Sequence, residues 1–272
     1  MNKRRKLLIA LGAGALAAPF GSFAQQQGKV WRVGYLALSS GEEVAPTMVA
    51  FKERLRELGY IDGKNLLFEY RSAEDRQERL AELATELTRA RPDVLIAGSG
   101  TLVPMALKKV TTTIPIVFTS VGDPVGAGVV ASLARPGGNI TGLSSLAAGI
   151  ASKRLQLLQG FVPKSRSVAV LMNPATPFAM LALTEIRAAA EMLRIRLEIL
   201  ELKTGDQVAN RFEAAIKAGA AGMIVVEDPL TYTIRQQVID LAARYKLPTI
   251  YGRRETVEAG GEWHLHKAKR LM

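Results

Sequence analysis

The chain of 272 residues is 48% apolar and 22% charged, enough for a sizeable core in one large or two medium α/β domains. It has no cysteine, and its two histidines, His264 and His266, fall near its end, so disulfides, thiolate metal sites, cysteine nucleophiles and serine–histidine hydrolysis are excluded from the body of the protein. Of the formal charge of +11, residues 1–24 carry +4 and residues 261–272 carry +2, leaving a scattered +5 that argues for solvated helix faces rather than a nucleic-acid surface.

Residues 1–24 have the three parts of a secretory signal: a basic start (Asn2–Lys6), an apolar run (Leu7–Ala18) and a small-x-small site at Ser22-Phe23-Ala24, with cleavage expected before Gln25. The apolar run is too short for an ordinary membrane span. The paired Arg4-Arg5 fits a twin-arginine export signal, and a Sec signal can begin the same way. The mature chain is expected to be a soluble periplasmic protein.

Strands and helices then alternate. The hydrophobic pattern predicts a strand at Val30–Leu38 and a helix at Pro46–Leu58 with Met48, Phe51, Leu55 and Leu58 inward. It continues with a strand at Asn65–Tyr70 and a helix at Asp75–Ala90 with Leu80, Leu83, Ala84 and Leu87 inward. Val94–Ala97 reads as a strand, Leu102–Val110 as a helix, Ile114–Thr119 as a strand, and Thr141–Ser144 as a short fifth strand. A linking helix at Ala148–Gly160 precedes a second series. That series has strands at Ser167–Met172, Leu197–Leu202, Met223–Val226 and Thr249–Tyr251, with helices at Phe178–Leu193, Asp206–Ala218 and Thr231–Tyr245 between them. The strands are unbroken apolar runs, as expected when helices cover both faces of a parallel sheet. The reading is α/β, two doubly wound parallel-sheet lobes in series: 1–24 a signal peptide, 25–147 the first lobe, 148–252 the second, 253–272 a tail.

In such sheets chemistry sits in loops at the carboxyl ends of strands. Five of these loops are rich in small polar residues, and they supply the candidate ligand contacts: Ser39, Ser40, Ser99, Gly100, Thr101, Ser120, Asp123, Asn173 and Asp228. Three carry Asx-Pro directly after a strand: Asp123-Pro124, Asn173-Pro174 and Asp228-Pro229. The plain role of that pair is to cap the next helix, with proline in its first turn. A cap also stands beside free N–H groups that suit a ligand carboxylate. Ser99 and Thr101 offer hydroxyl donors, Gly98 and Gly100 allow close approach to the backbone, and Asp123 suits a ligand ammonium. Nucleotide-binding glycine motifs and the nucleophile-elbow pattern are absent from the mature sequence. His264 and His266 lack a third metal ligand nearby, and Glu42-Glu43, Glu227-Asp228 and Glu255 fit solvated loops better than acid–base catalysis. No cofactor or metal is expected.

Several separated segments also carry a family signature: Val33–Leu36 (VGYL), Phe51–Tyr70 (FKERLRELGYIDGKNLLFEY), Ile114–Ser144 with its GDPVGAGVVASLARPGGNITGL run, Lys153–Leu158 (KRLQLL), Val168–Pro174 (VAVLMNP), Asp228–Leu230 and Leu247–Gly252 (LPTIYG). In this order they resemble ABC-transporter substrate-binding proteins of the tryptophan/tyrosine-binding type, which are similar to type I periplasmic binding proteins. The resemblance implies two lobes closing on a small solute such as an amino acid, delivery to an ABC permease in the inner membrane, and no catalysis. Relatives of this kind usually continue beyond Gly261 and return to the first lobe. The basic ending Glu262–Met272 departs from that pattern, and the expectation is a truncated chain that lacks this last crossover and closes less cooperatively. Two other classes stay open on the residues alone. A ligand-sensing regulator would need a DNA-binding helix pair where the export signal stands. An exported enzyme would turn its ligand over.

Overall fold

Strands β1 (Trp31–Ala37), β2 (Leu66–Ser72), β3 (Val94–Ala97), β4 (Ile116–Val121) and β5 (Ile140–Ser144) form one wholly parallel sheet in the order β2-β1-β3-β4-β5 in this computed structural model, which describes residues 29–39, 45–98, 100–145, 147–163 and 166–260. Strands β6 (Ser167–Met172), β7 (Arg196–Glu201), β8 (Met223–Val225) and β9 (Thr249–Ile250) form a second, also parallel, in the order β7-β6-β8-β9.

Helices sandwich both sheets, as the continuous apolar strands require. On one face of the first sheet lie α2 (Leu80–Arg89) and α3 (Leu102–Val110). Leu83, Leu87, Val103 and Leu107 pack there on Leu36, Leu95, Ile116 and Phe118. The other face carries α1 (Ala45–Glu57), whose Met48, Phe51 and Leu55 lie over Val33, Tyr35 and Ile96. In the second sheet Val168, Val170 and Met172 face α4 (Ala151–Phe161) and α5 (Pro177–Leu193). Ala169 and Leu171 face α6 (Val208–Lys217) and α8 (Arg235–Arg244) on the opposite side. Alternate residues of one strand thus serve two cores.

The elements follow the pattern with four instructive differences. Strand β4 starts at Ile116 rather than Ile114, because Pro115 has no N–H and Ile116 makes the first ladder bond, to the Asn139 carbonyl. Leu58 is exposed: α1 ends at Glu57, and Gly59 at φ +88° turns the chain away. The single helix expected over Thr231–Tyr245 is two, α7 (Pro229–Thr233) and α8, separated at Ile234. Residues 253–260 are packed structure rather than loose tail. A short helix α9 (Arg254–Glu258) buries Thr256 and places Val257 in the core of the second lobe. The readings made on residues 1–28 and 261–272, and those on Glu42, Glu43, His264 and His266, lie outside the described residues. No helix among the described residues is long and apolar enough to cross a membrane.

Candidate functional site

Each sheet order reverses direction once, between β1 and β3 in the first lobe and between β6 and β8 in the second. Loops diverge at such a switch point and leave a crevice at the carboxyl ends of the strands. Both crevices open toward the same space. Thr233 Oγ1 donates to Ser39 Oγ across it at 3.4 Å, and a Cβ built on Gly100 would lie 2.9 Å from Pro229 Cγ. The lobes therefore meet at this cleft.

A pocket in the cleft has about 390 Å³ of space between protein atoms, counting its open mouth. Gly100, Thr101, Ser120, Gly122 and Ser145 line it from the first lobe, and Thr176, Phe178, Glu227, Asp228, Pro229 and Arg253 from the second. Four of the candidate residues from the sequence, Gly100, Thr101, Ser120 and Asp228, are thus brought together. Ser40 and Ser99 lie outside the described residues.

The other three candidates stand behind or beside this wall. Ser39 is buried and donates to Asp75 Oδ1 at 2.6 Å. Asp123 does not line the pocket: its Oδ1 accepts from the Gly126 N–H at 2.8 Å, closing a turn where no helix follows. Asn173 is fully buried. Its Oδ1 accepts from the Ala175 N–H at 3.0 Å, and its Nδ2 donates to Asp228 Oδ1 at 3.2 Å. The helix after Asn173 begins past Thr176, which stands at its N-terminal boundary without a side-chain cap bond, with Pro177 in its first turn, so of the three Asx-Pro pairs only Asp228-Pro229 caps a helix directly. There the Asp228 side chain accepts from the Leu230 N–H at 2.8 Å, and Thr231 Oγ1 answers by accepting from the Asp228 N–H at 3.1 Å.

Asp228 is the most unusual group in the site. It is 5% exposed, and its Oδ2 has no hydrogen-bond partner. Burial pushes its carboxyl above the usual range, against the opposing pull of Asn173 and the Leu230 N–H. A half-satisfied buried carboxyl group at the edge of this cleft is suited to a cationic or hydrogen-bonding ligand group. The neighbouring Glu227 is held differently, by a charged contact at 2.6 Å from Arg154 of α4, which is 2% exposed.

Sequence reasoning missed Ser145, Thr176, Phe178, Glu227 and Arg253 as pocket residues. Ser145 and Arg253 follow the last strand of their sheets, so the strand-end rule pointed to both. Arg253 escapes that rule because the pattern after Gly252 reads as tail.

Comparison with known proteins agrees with this architecture. A family model described as ABC transporter substrate binding protein matches residues 33–265. A curated relative, the tyrosine-binding protein of Clostridioides difficile (strain R20291), is 25% identical over 274 aligned residues, covering 96% of this chain and 78% of the relative. The crystal structure of a conserved domain protein from Vibrio cholerae superposes with TM-score 0.77 at 28% identity, covering 86% of this chain and 77% of that one. An ABC domain from Streptococcus pneumonia in complex with L-Trp superposes with TM-score 0.73 at 21% identity, over 85% and 77% of the two chains. The fold is that of type I periplasmic binding proteins.

Proposed function

The chain belongs to the ABC transporter substrate-binding protein family, and on that premise we propose that it is the periplasmic solute receptor of an ABC importer, holding an amino acid or similar small zwitterion between its lobes. The observation that carries the reading is the pocket at the two switch points, with the partly unsatisfied Asp228 on one side and the hydroxyls of Thr101 and Ser120 on the other. Ser39, Asp123 and Asn173 act from behind as positioning groups, and Ser40 and Ser99 are kept as proposed ligand contacts. The relative's tyrosine binding supports an amino acid as ligand class. In this reading residues 1–24 direct export, an inner-membrane permease recognises the closed lobes, and the solute leaves chemically unchanged.

The test is to express the full chain with periplasmic export and identify by native mass spectrometry what co-purifies. Amino acids, beginning with L-tyrosine and L-tryptophan, are then screened by thermal shift. A solute at 100 times its Kd stabilises by about 2.7 kcal/mol. That corresponds to roughly 5–10 °C in melting midpoint for a chain of this size. A product that differs from the added solute would favour an enzyme. A flat screen with nothing co-purified would end the receptor reading.

A further inference from the structure

Arg253 stands in the cleft without a partner of opposite charge. It lines the inter-lobe pocket, and among the described residues it makes no ion pair and no hydrogen bond. Its guanidinium carbon lies 4.8 Å from the centroid of the Tyr232 ring. A second guanidinium, that of Arg235, lies 4.5 Å from the same centroid, and its Nη1 donates to the Tyr232 carbonyl at 3.0 Å. Stacking on an aromatic face fixes the plane of an arginine while leaving its edge donors free.

Two acids line the same pocket. Glu227 is neutralised from behind by Arg154, and Asp228 already receives the Asn173 amide and the Leu230 N–H. The positive charge of Arg253 is therefore uncompensated by any ion pair. Across the pocket the side-chain hydroxyls of Thr101, Ser120 and Ser145 also have no hydrogen-bond partner among the described residues. A free guanidinium edge and three free hydroxyls bordering one pocket match the acceptor-rich end of a carboxylate.

Resting on the receptor reading above, we propose that Arg253 is the anion anchor of the cleft. Its guanidinium, with the hydroxyls of Thr101, Ser120 and Ser145, takes the carboxylate of the solute, and Asp228 faces the solute's polar or cationic end. The ligand class narrows accordingly to carboxylate-bearing solutes. Arg253 also joins the two sides of closure, since it belongs to the second lobe and the hydroxyls to the first.

The experiment uses the full mature chain and isothermal titration with the twenty L-amino acids and a set of aromatic and aliphatic carboxylic acids, each beside its carboxamide. Charge-assisted hydrogen bonds of this kind are worth about 10- to 100-fold in Kd. Wild type is expected to prefer the carboxylate over its carboxamide by that factor. Arg253→Gln is expected to lose the preference while its affinity for the carboxamide stays unchanged, and Arg253→Lys to restore part of it. Arg254→Gln serves as a control, because Arg254 is exposed and pairs with Glu258 at 2.7 Å. It is expected to bind as wild type does. Equal binding of carboxylate and carboxamide, or a carboxylate preference that survives in Arg253→Gln, would overturn the anchor while leaving the receptor reading intact. Failure of every compound to bind wild type would overturn both.

Discussion

Asp228 shows what a single buried group can do to stability and to binding. Its carboxyl titrates above the unfolded value of about 3.9 because burial penalises the charged form. Between those two pKa values the folded chain keeps a proton that the unfolded chain has released. Stability is therefore greatest below the unfolded pKa and falls as pH rises through the folded one. Asp228→Asn removes the titration and can keep the oxygen that accepts from Asn173 and Leu230. In ligand-free protein the variant is expected to melt above wild type near pH 7, and the gap to close below about pH 4. A variant that melts below wild type at neutral pH would contradict the assignment. Arg154 is the opposite case, a buried charge that is paired. Its removal leaves Glu227 uncompensated in a largely buried position, at a cost of about 3–5 kcal/mol. Urea unfolding of Arg154→Met should show that loss, and adding Glu227→Gln should recover part of it. Equal losses in the single and double variants would mean that packing, not charge, is responsible.

At the level of elements, closure depends on two glycines of the first lobe. Gly100 has φ +97°, a conformation that costs any other residue, and it faces Pro229 of α7. A Cβ on Gly122 would collide with the Phe178 ring at the start of α5. In Gly122→Ala the clash exists only when the lobes meet, and overpacking of this sort costs about 1–3 kcal/mol. Titration with the co-purified solute should show Kd raised roughly tenfold, while the ligand-free melt stays where it was. An unchanged Kd would mean that the lobes close elsewhere. Much of this arrangement was legible in the sequence. Leu80, Leu83, Ala84 and Leu87 form an inward stripe in the sequence and are buried, and β3, α3 and β6 have the expected bounds, because unbroken apolar runs and 3.6-residue stripes are local signals. Gly100, Thr101, Ser120 and Asp228 were found by the strand-end rule. The break at Ile234 was not legible, since Ile234, Val238, Ile239 and Ala242 share one buried side and the stripe runs through the break. Nor was the turn at Asp123: Asx-Pro announces a cap, but the sequence does not say that the Gly126 N–H receives it. Phe178 and Arg253 needed the other lobe's position, which no local pattern holds.

At the scale of the whole molecule, the described residues build two lobes, each around its own sheet, joined by one stretch of chain. Among the described residues the backbone passes from the first sheet to the second once, between Ser144 and Ala151. Among the described residues no buried cluster joins the two sheets. What couples them is the cleft: the Thr233–Ser39 contact, Pro229 over Gly100, and Phe178 against Gly122. Cleft contacts of this kind form and break with lobe motion, so without solute the two cores have little reason to unfold together. A bound solute touches both walls, and binding that requires both lobes adds its free energy to a common folded state. Calorimetry on the ligand-free chain should therefore give a measured unfolding enthalpy above the van't Hoff value, the mark of more than one cooperative unit. Saturating solute should raise the lower transition and draw the two enthalpies together. A ligand-free chain that already melts with equal enthalpies would show the lobes to be one unit, and the cleft contacts would then have to be much stronger than their number and lengths imply.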